Sequence, residues 1–487
     1  MSSEPRHLHP AAMLIDAIKT IRRWVSAFVI PGIAVLASRG FSMRTITLIF
    51  FGALVAAALA GLWGFLSWRA TTYEISGGAF RLRQGVVQKN ERTIPLEHVQ
   101  SVDTVQGIIQ RFFGIVEVRV ETAGGGTSEP DASLSALDRV EAETLRREIE
   151  GSRREPVEAQ EAAGPTVLLR LGTRDLLIAG ATSGQIGVAF SLIAVVSQLF
   201  DDLLSGSLTQ RLFEALAPRS VTTALLLIGA FGAFAWLLAI GGTVLAHTGF
   251  TLSRDGDFLY IKRGLLERRE ATIPLARIQA VRVVEGLLRQ PFGLATLRVE
   301  SAGYGEASGV STPLFPLLPR KEAYKLLLDA APEFAVAPTL NPLPARALRR
   351  YVIRATVPVL LLTAAFVLVS SLAFDLAAWG FAALLLVSLA AVYGWLRYRD
   401  AGWACEGDRL VVRWRRLART TAIAPRRRLQ SRDVIRSPFQ RRARLATFRT
   451  QVASGGGGGA YGVVDLEVDS AEALAEALGP GAQHRER

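Results

Sequence analysis

Few residues in this chain have the types and spacing for bond-making chemistry. The single cysteine, Cys405, excludes an internal disulfide framework and a cysteine-rich metal site. Five histidines stand at positions 7, 9, 98, 247 and 484, and apart from His7 and His9 no two lie at ligand spacing. No paired carboxylates, nucleophile elbow or His/Asp cluster borders an apolar run, so the expectation is a non-enzyme without metal or cofactor. The run Ser454 to Gly459 resembles a phosphate cradle only superficially. It lacks the GK[ST] ending and aligns with the glycines after Ala123, which makes it a lengthened loop.

The chemistry that remains is charge recognition. Between Arg409 and Arg449 stand fourteen arginines and one acid, Asp433, a surplus equal to the +13 of the whole chain. Arg413, Arg415, Arg416, Arg426, Arg427, Arg428, Arg441 and Arg442 are therefore candidate contacts for anionic lipid, each basic residue at such a surface contributing about 1 kcal/mol. The plainer reading is a juxtamembrane positive excess that only fixes topology. Nucleic acid is not the expected anion, because the segment follows an apolar run directly and lacks a series of aromatic stackers.

The elements that must position these arginines are membrane helices. Half of the residues are hydrophobic, mean hydropathy is +0.29, and the apolar residues are clumped. Thr45 to Leu66, Ile178 to Phe200, Thr222 to Leu245, Ala355 to Leu372 and Leu376 to Leu396 read as spans, and the shorter Trp24 to Ala37 pairs with Thr45 to Leu66, giving six spans in three hairpins. Lys19, Arg22, Arg23, Arg69, Arg349, Arg350, Arg354, Arg397 and Arg399 flank the hairpins on one side, which places both termini and the polar regions in the cytoplasm of a bacterial inner membrane. No A-x-A site follows the first apolar run, so no cleavable signal is expected.

After each hairpin the same motif returns. TIPLEHVQSVDTVQGIIQRFFGIVEVRVETAGG (Thr93 to Gly125) aligns without a gap with TIPLARIQAVRVVEGLLRQPFGLATLRVESAGY (Thr272 to Tyr304), 179 residues on. An eroded copy from Ile423 to Gly456 keeps Pro425 and Gln430 and carries Arg444 in place of the motif glycine. Pro95, Pro274, Gln100, Gln279, Gly114 and Gly293 recur in the first two copies, and their expected roles are structural: turn glycines and amides that satisfy a strand edge. Local signals are β, with a hairpin around Arg254-Asp-Gly-Asp, a strand opening at Ile273-Pro-Leu and another over Leu294 to Val299. Amphipathic helices over Leu134 to Ile149, Arg320 to Ala330 and Ala471 to Leu478 close the units. The organisation expected is 1–69 N-terminal segment and hairpin, 70–150 first β domain, 151–166 linker, 167–247 second hairpin and 248–335 second domain. A linker and third hairpin (336–400), an arginine-rich third domain (401–480) and a tail (481–487) complete the chain.

The pattern TIPL-x-x-[IV]-Q-x-V, followed by FG-[IL]-x-x-[LV]-R-V-E-[ST]-A-G, resembles the bacterial pleckstrin-homology-like (PH-like) membrane proteins, and the His9-Pro10 opening is similar to their long, multi-copy members. The resemblance implies a membrane α+β protein: six transmembrane helices in three hairpins, each followed by a PH-like split β-barrel with a C-terminal helix. It implies no catalytic activity, and an association of some relatives with envelope stress or tolerance of membrane-acting peptides. A smaller single-copy PH-like membrane protein is an expected hetero-partner. The function expected is a scaffold or adapter whose domains bind partner proteins or anionic lipid, tandem copies raising avidity. The competing reading, a transporter or flippase, has little support in the apolar runs, where Gln185 and Gln198 are the only long polar side chains.

Overall fold

Long apolar helices carry the β modules. In the computed structural model, residues 5–21, 24, 43–122, 131–151, 165–183, 220–301, 312–337, 339–370, 377–453 and 459–479 are described. The chain divides into two compact units, Met1–Pro274 and Leu275–Arg487.

In the first unit, β1 (Arg6–His7), α1 (Met43–Ala70), β2 (Thr72–Ser76), β3 (Ala79–Gln84) and β4 (Asn90–Pro95) precede β5 (Val99–Gln106). The short α2 (Ile108–Phe112), β6 (Ile115–Thr122), β7 (Ala132–Asp138) and α3 (Arg139–Gly151) complete the repeat. Strands β1 to β4 form one antiparallel sheet and β5 to β7 belong to another. The alternating apolar residues of both, among them Tyr73, Phe80, Val118 and Leu134, share one core that Ala142, Leu145 and Ile149 of α3 seal. The expected helix over Leu134 to Ile149 therefore begins only at Arg139. Leu134 and Ala136 reach the core from the alternating positions of a strand.

The second repeat supplies β8 (Thr166–Arg170), α4 (Thr173–Ala181), α5 (Val221–His247), β9 (Thr251–Asp255), β10 (Phe258–Arg263) and β11 (Arg268–Pro274) to the first unit. Its hairpin turns at Gly256, φ 54°, as the Asp-Gly signal predicts. These strands do not form a separate sheet. β11 pairs with β5 of the first repeat, giving a seven-stranded sheet ordered β7-β6-β5-β11-β10-β9-β8.

The second unit repeats the plan. β12 (Ile278–Glu285), β13 (Leu294–Ser301), β14 (Thr312–Pro319) and α6 (Arg320–Ala330) end the second repeat. β15 (Asn341–Pro342), α7 (Ala345–Ser370), α8 (Ala377–Asp400), β16 (Gly402–Glu406), β17 (Arg409–Arg415) and β18 (Arg419–Pro425) open the third. Strand β18 pairs with β12, so the sheet runs β14-β13-β12-β18-β17-β16-β15. The chain then forms β19 (Leu429–Ile435), α9 (Pro438–Arg442), β20 (Leu445–Val452), β21 (Ala460–Glu467) and α10 (Val468–Ala477). Phe448, Leu445, Val463 and the α10 residues Ala471 and Leu474 share a core with β17 and β18.

The boundary between units thus falls inside the second repeat, at its proline turn. Ile273 and Pro274 end β11 instead of opening a strand, and Leu275–Arg277 form a 3-10 turn before β12. A proline cannot donate to the next ladder bond, and the same turn follows Pro95 (φ −57°) and Pro425 (φ −65°).

Three helical segments among the described residues are long and apolar enough to cross a membrane: Phe50–Ala70, Leu225–His247 and Ala345–Leu368. From Ala377 on, the run Leu376 to Leu396 lies in α8, which packs along α7 and is not one of the three, and Leu376 itself lies outside the described residues. A Cβ on Gly394 would meet the Val352 Cα at 2.8 Å, so glycine permits that approach. Trp24 to Ala37 beyond Trp24, and Ile178 to Phe200 beyond Ser183, lie outside the described residues. Six spans therefore go beyond what these three helices carry.

Candidate functional site

The repeat motif builds turns and bulges. Gln100, Gln279 and Gln430 occupy one position in β5, β12 and β19, where the register skips from 99 to 101, 278 to 280 and 429 to 431. Gln279 is buried and donates to the Arg277 carbonyl at 3.0 Å, Gln430 is exposed, and the Gln100 side chain lies outside the described residues. Gly114 and Gly293 adopt left-handed φ of 71° and 63°, and Arg444 takes the same conformation at 53°.

The arginines separate into three groups. Arg426, Arg427 and Arg428 form the 3-10 turn after β18. Arg426 donates to the Gly479 carbonyl, Arg427 bonds Glu333 at 2.7 Å, and Arg428 reaches the Ala276 carbonyl. Arg441 and Arg442 are exposed on α9. Arg413, Arg415 and Arg416 line a cavity of about 800 Å³ in the second unit.

That cavity gathers residues distant in sequence. Arg282 and Arg298 come from β12 and β13, Arg449 from β20, and Arg397 from the last turn of α8, while Tyr351, Trp414 and Tyr461 supply aromatic walls. Among the described residues, seven arginines and no carboxylate line it. The sequence reading missed Arg282, Arg298, Arg397 and Arg449 as a group. The only signal was an arginine at the register position where the first repeat has Asp103.

Several of the seven are fixed from behind. Buried Arg415 ion-pairs with Asp400 at the end of α8 and donates to Gln290. Arg413 donates to the Asp400 carbonyl at 2.8 Å, and burial, followed by repulsion from Arg419 and Arg320, holds its guanidinium below the ordinary arginine range. Arg282 bonds Glu300 at 2.7 Å and lies 5.6 Å over the Trp414 ring. Tyr461 donates to Glu300 as well, and burial first, then that carboxylate, pushes its hydroxyl up.

Among the described residues, no carboxylate pairs with Arg397, Arg416 or Arg449, and the Nε atoms of Arg282 and Arg397 are buried without a hydrogen-bond partner. Arg397 faces the rings of Tyr351 and Tyr393 at 5.9 and 5.6 Å, and Arg416 and Arg449 are exposed at the rim. An under-neutralised arginine cluster of this kind matches a phosphate or carboxylate through forked, charge-assisted hydrogen bonds.

Membrane helix and pocket are locked together. Asp465, fully buried in β21, accepts from Arg350 at 3.1 Å and Arg354 at 2.7 Å, both on α7, and from Gln440 at 2.8 Å. The Tyr351 hydroxyl donates to the Val464 carbonyl at 3.1 Å. The pocket therefore lies where the α7–α8 hairpin meets the β module.

The bacterial PH domain profile matches residues 21–153, 175–330 and 357–482, which coincide with the three repeats and their preceding helices. The chain belongs to the bacterial PH domain family, as a transmembrane protein with three such regions. It is similar to the UPF0699 transmembrane protein YdbT of Bacillus subtilis (strain 168), with 33% identity over 477 residues, 93% of this chain and 94% of that relative. No solved structure matches it.

Proposed function

We propose that the chain is a non-catalytic membrane platform whose third PH-like module holds an anionic phospholipid headgroup in the arginine pocket. One observation carries this reading: seven arginines and, among the described residues, no acid line a cavity where α7, long and apolar enough to cross a membrane, and its neighbour α8 meet the β module. Arg397 and Tyr351 come from the hairpin itself, so a headgroup can reach the arginines while its acyl chains stay in the bilayer. The finer topology belongs to the same proposal: six spans in a bacterial inner membrane, with both termini and the three modules cytoplasmic. The flanking arginines support it through the positive-inside rule.

The full chain in neutral-lipid nanodiscs tests the reading by its thermal midpoint. Short-chain phosphatidylglycerol should raise Tm in a saturable way, and short-chain phosphatidylcholine at equal concentration should not. Equal responses to the two lipids would remove the headgroup from the account.

A further inference from the structure

Successive repeats are joined edge to edge by one rule. At the first junction Thr104, Val105 and Gln106 of β5 face Glu270, Arg269 and Arg268 of β11. At the second, Val283, Val284 and Glu285 of β12 face Thr421, Thr420 and Arg419 of β18. Shifted by the repeat offsets, these are the same residue pairs, so the register of the two junctions is identical.

Each junction uses the last three strands of one repeat as donor and the first sheet of the next as acceptor. The first repeat still has an acceptor edge, since β4 is the outer strand of the sheet β1-β2-β3-β4. The third has a donor edge, since β19 is the outer strand of β19-β20-β21. Both are built like their paired counterparts. β4 meets β3 in the register that β11 has with β10 and β18 with β17. β19 meets β20 with the same bulge that β5 has with β6. The outward N–H and C=O groups therefore alternate as they do at the two closed junctions.

We infer that β19 of one molecule pairs antiparallel with β4 of a second copy, continuing the junction rule between chains. The transposed register sets Arg432 against Thr93, Asp433 against Arg92, Val434 against Glu91 and Ile435 against Asn90. The central pair is oppositely charged, and Glu91 lies diagonal to Arg432. Residues 90–93 are exposed, and Arg432 keeps a buried Nε without a partner. One step further, Arg436 would face Lys89, so the ladder stops after four pairs, between the three and five of the internal junctions. An edge with this pattern and, among the described residues, no covering element is a template for another strand. Donor and acceptor differ, so the contact is heterologous and extends to rings or chains of copies. This goes beyond the lipid reading and does not depend on it.

The test mixes two tagged full-length populations in a Cys405→Ser background, one carrying Asp433→Cys and the other Arg92→Cys. Oxidation in membranes should give the mixed disulfide adduct. The displaced pair Val434→Cys with Arg92→Cys should give several-fold less. Unsubstituted protein in detergent should show a light-scattering mass that rises above one chain with concentration. A one-chain mass at all concentrations together with no mixed adduct would overturn the inference, as would capture of Asp433→Cys by a smaller protein in place of the second copy.

Discussion

Arg282 on β12 and Glu300 on β13, diagonal neighbours across the ladder, bond at 2.7 Å and turn inward as a pair. The aligned positions of the first repeat are Asp103 and Glu121. There burial, and next the charge of Asp103, push the Glu121 carboxyl up to about 7. Arginine at position 282, where the aligned position of the first repeat is Asp103, thus puts a cation beside the shared glutamate and makes it part of the arginine pocket.

The acidic corner gives the first repeat a pH signature. The folded state favours protonated Glu121, so its pKa lies above the unfolded value. Stability should be greatest below about 4.5 and fall as pH rises towards 7, where the carboxylate must ionise beside Asp103. Glu121→Gln should flatten the pH dependence of Tm across that window. A slope unchanged by the substitution would assign it to other groups.

Asp465 predicts how firmly the membrane hairpin is held. It is fully buried and accepts from Arg350, Arg354 and Gln440. Asp465→Ala should cost about 3 kcal/mol, at the low end for a broken buried ion pair because Arg354 can regain water. The measurement is urea unfolding of the full chain in detergent. A change within about 0.5 kcal/mol, the range of an ordinary surface substitution, would contradict a load on this carboxylate.

The left-handed positions predict opposite signs for one exchange. Arg444 adopts φ 53° where the other repeats have Gly293 and Gly114. Arg444→Gly should therefore stabilise the third repeat by about 1 kcal/mol, and Gly293→Ala should destabilise by a similar amount, since a Cβ there meets open space. Gly264→Ala should cost more, because its Cβ would collide with the Glu267 carbonyl at φ 106°. Comparison of the three variants by Tm checks the order.

Much of this was legible in the chain because it repeats. The motif marked the glycines that adopt left-handed φ, but its proline was expected to open a strand and instead ends one, and the bulge at its glutamine was not expected. Junction pairing was not legible. β5 and β11 carry the alternation of any half-buried strand, and nothing local tells an edge that pairs within its own repeat from one that pairs with the next. The pocket was hidden for the same reason. Arg413, Arg415 and Arg416 stood out by density, but Arg282 and Arg298 reach them through the β12–β18 pairing and Arg397 through the return of α8.

The arginine pocket is tested most directly by charge reversal at its rim. Arg416→Glu combined with Arg449→Glu changes two exposed side chains and leaves Asp400, Glu300 and Asp465 with their partners. In neutral-lipid nanodiscs the double variant should keep the wild-type Tm within a few degrees. It should lose the rise on adding short-chain phosphatidylglycerol, a tenfold loss of affinity corresponding to about 1.4 kcal/mol. A double variant that responds to phosphatidylglycerol as the wild type does would contradict the assignment of this pocket to an anionic headgroup.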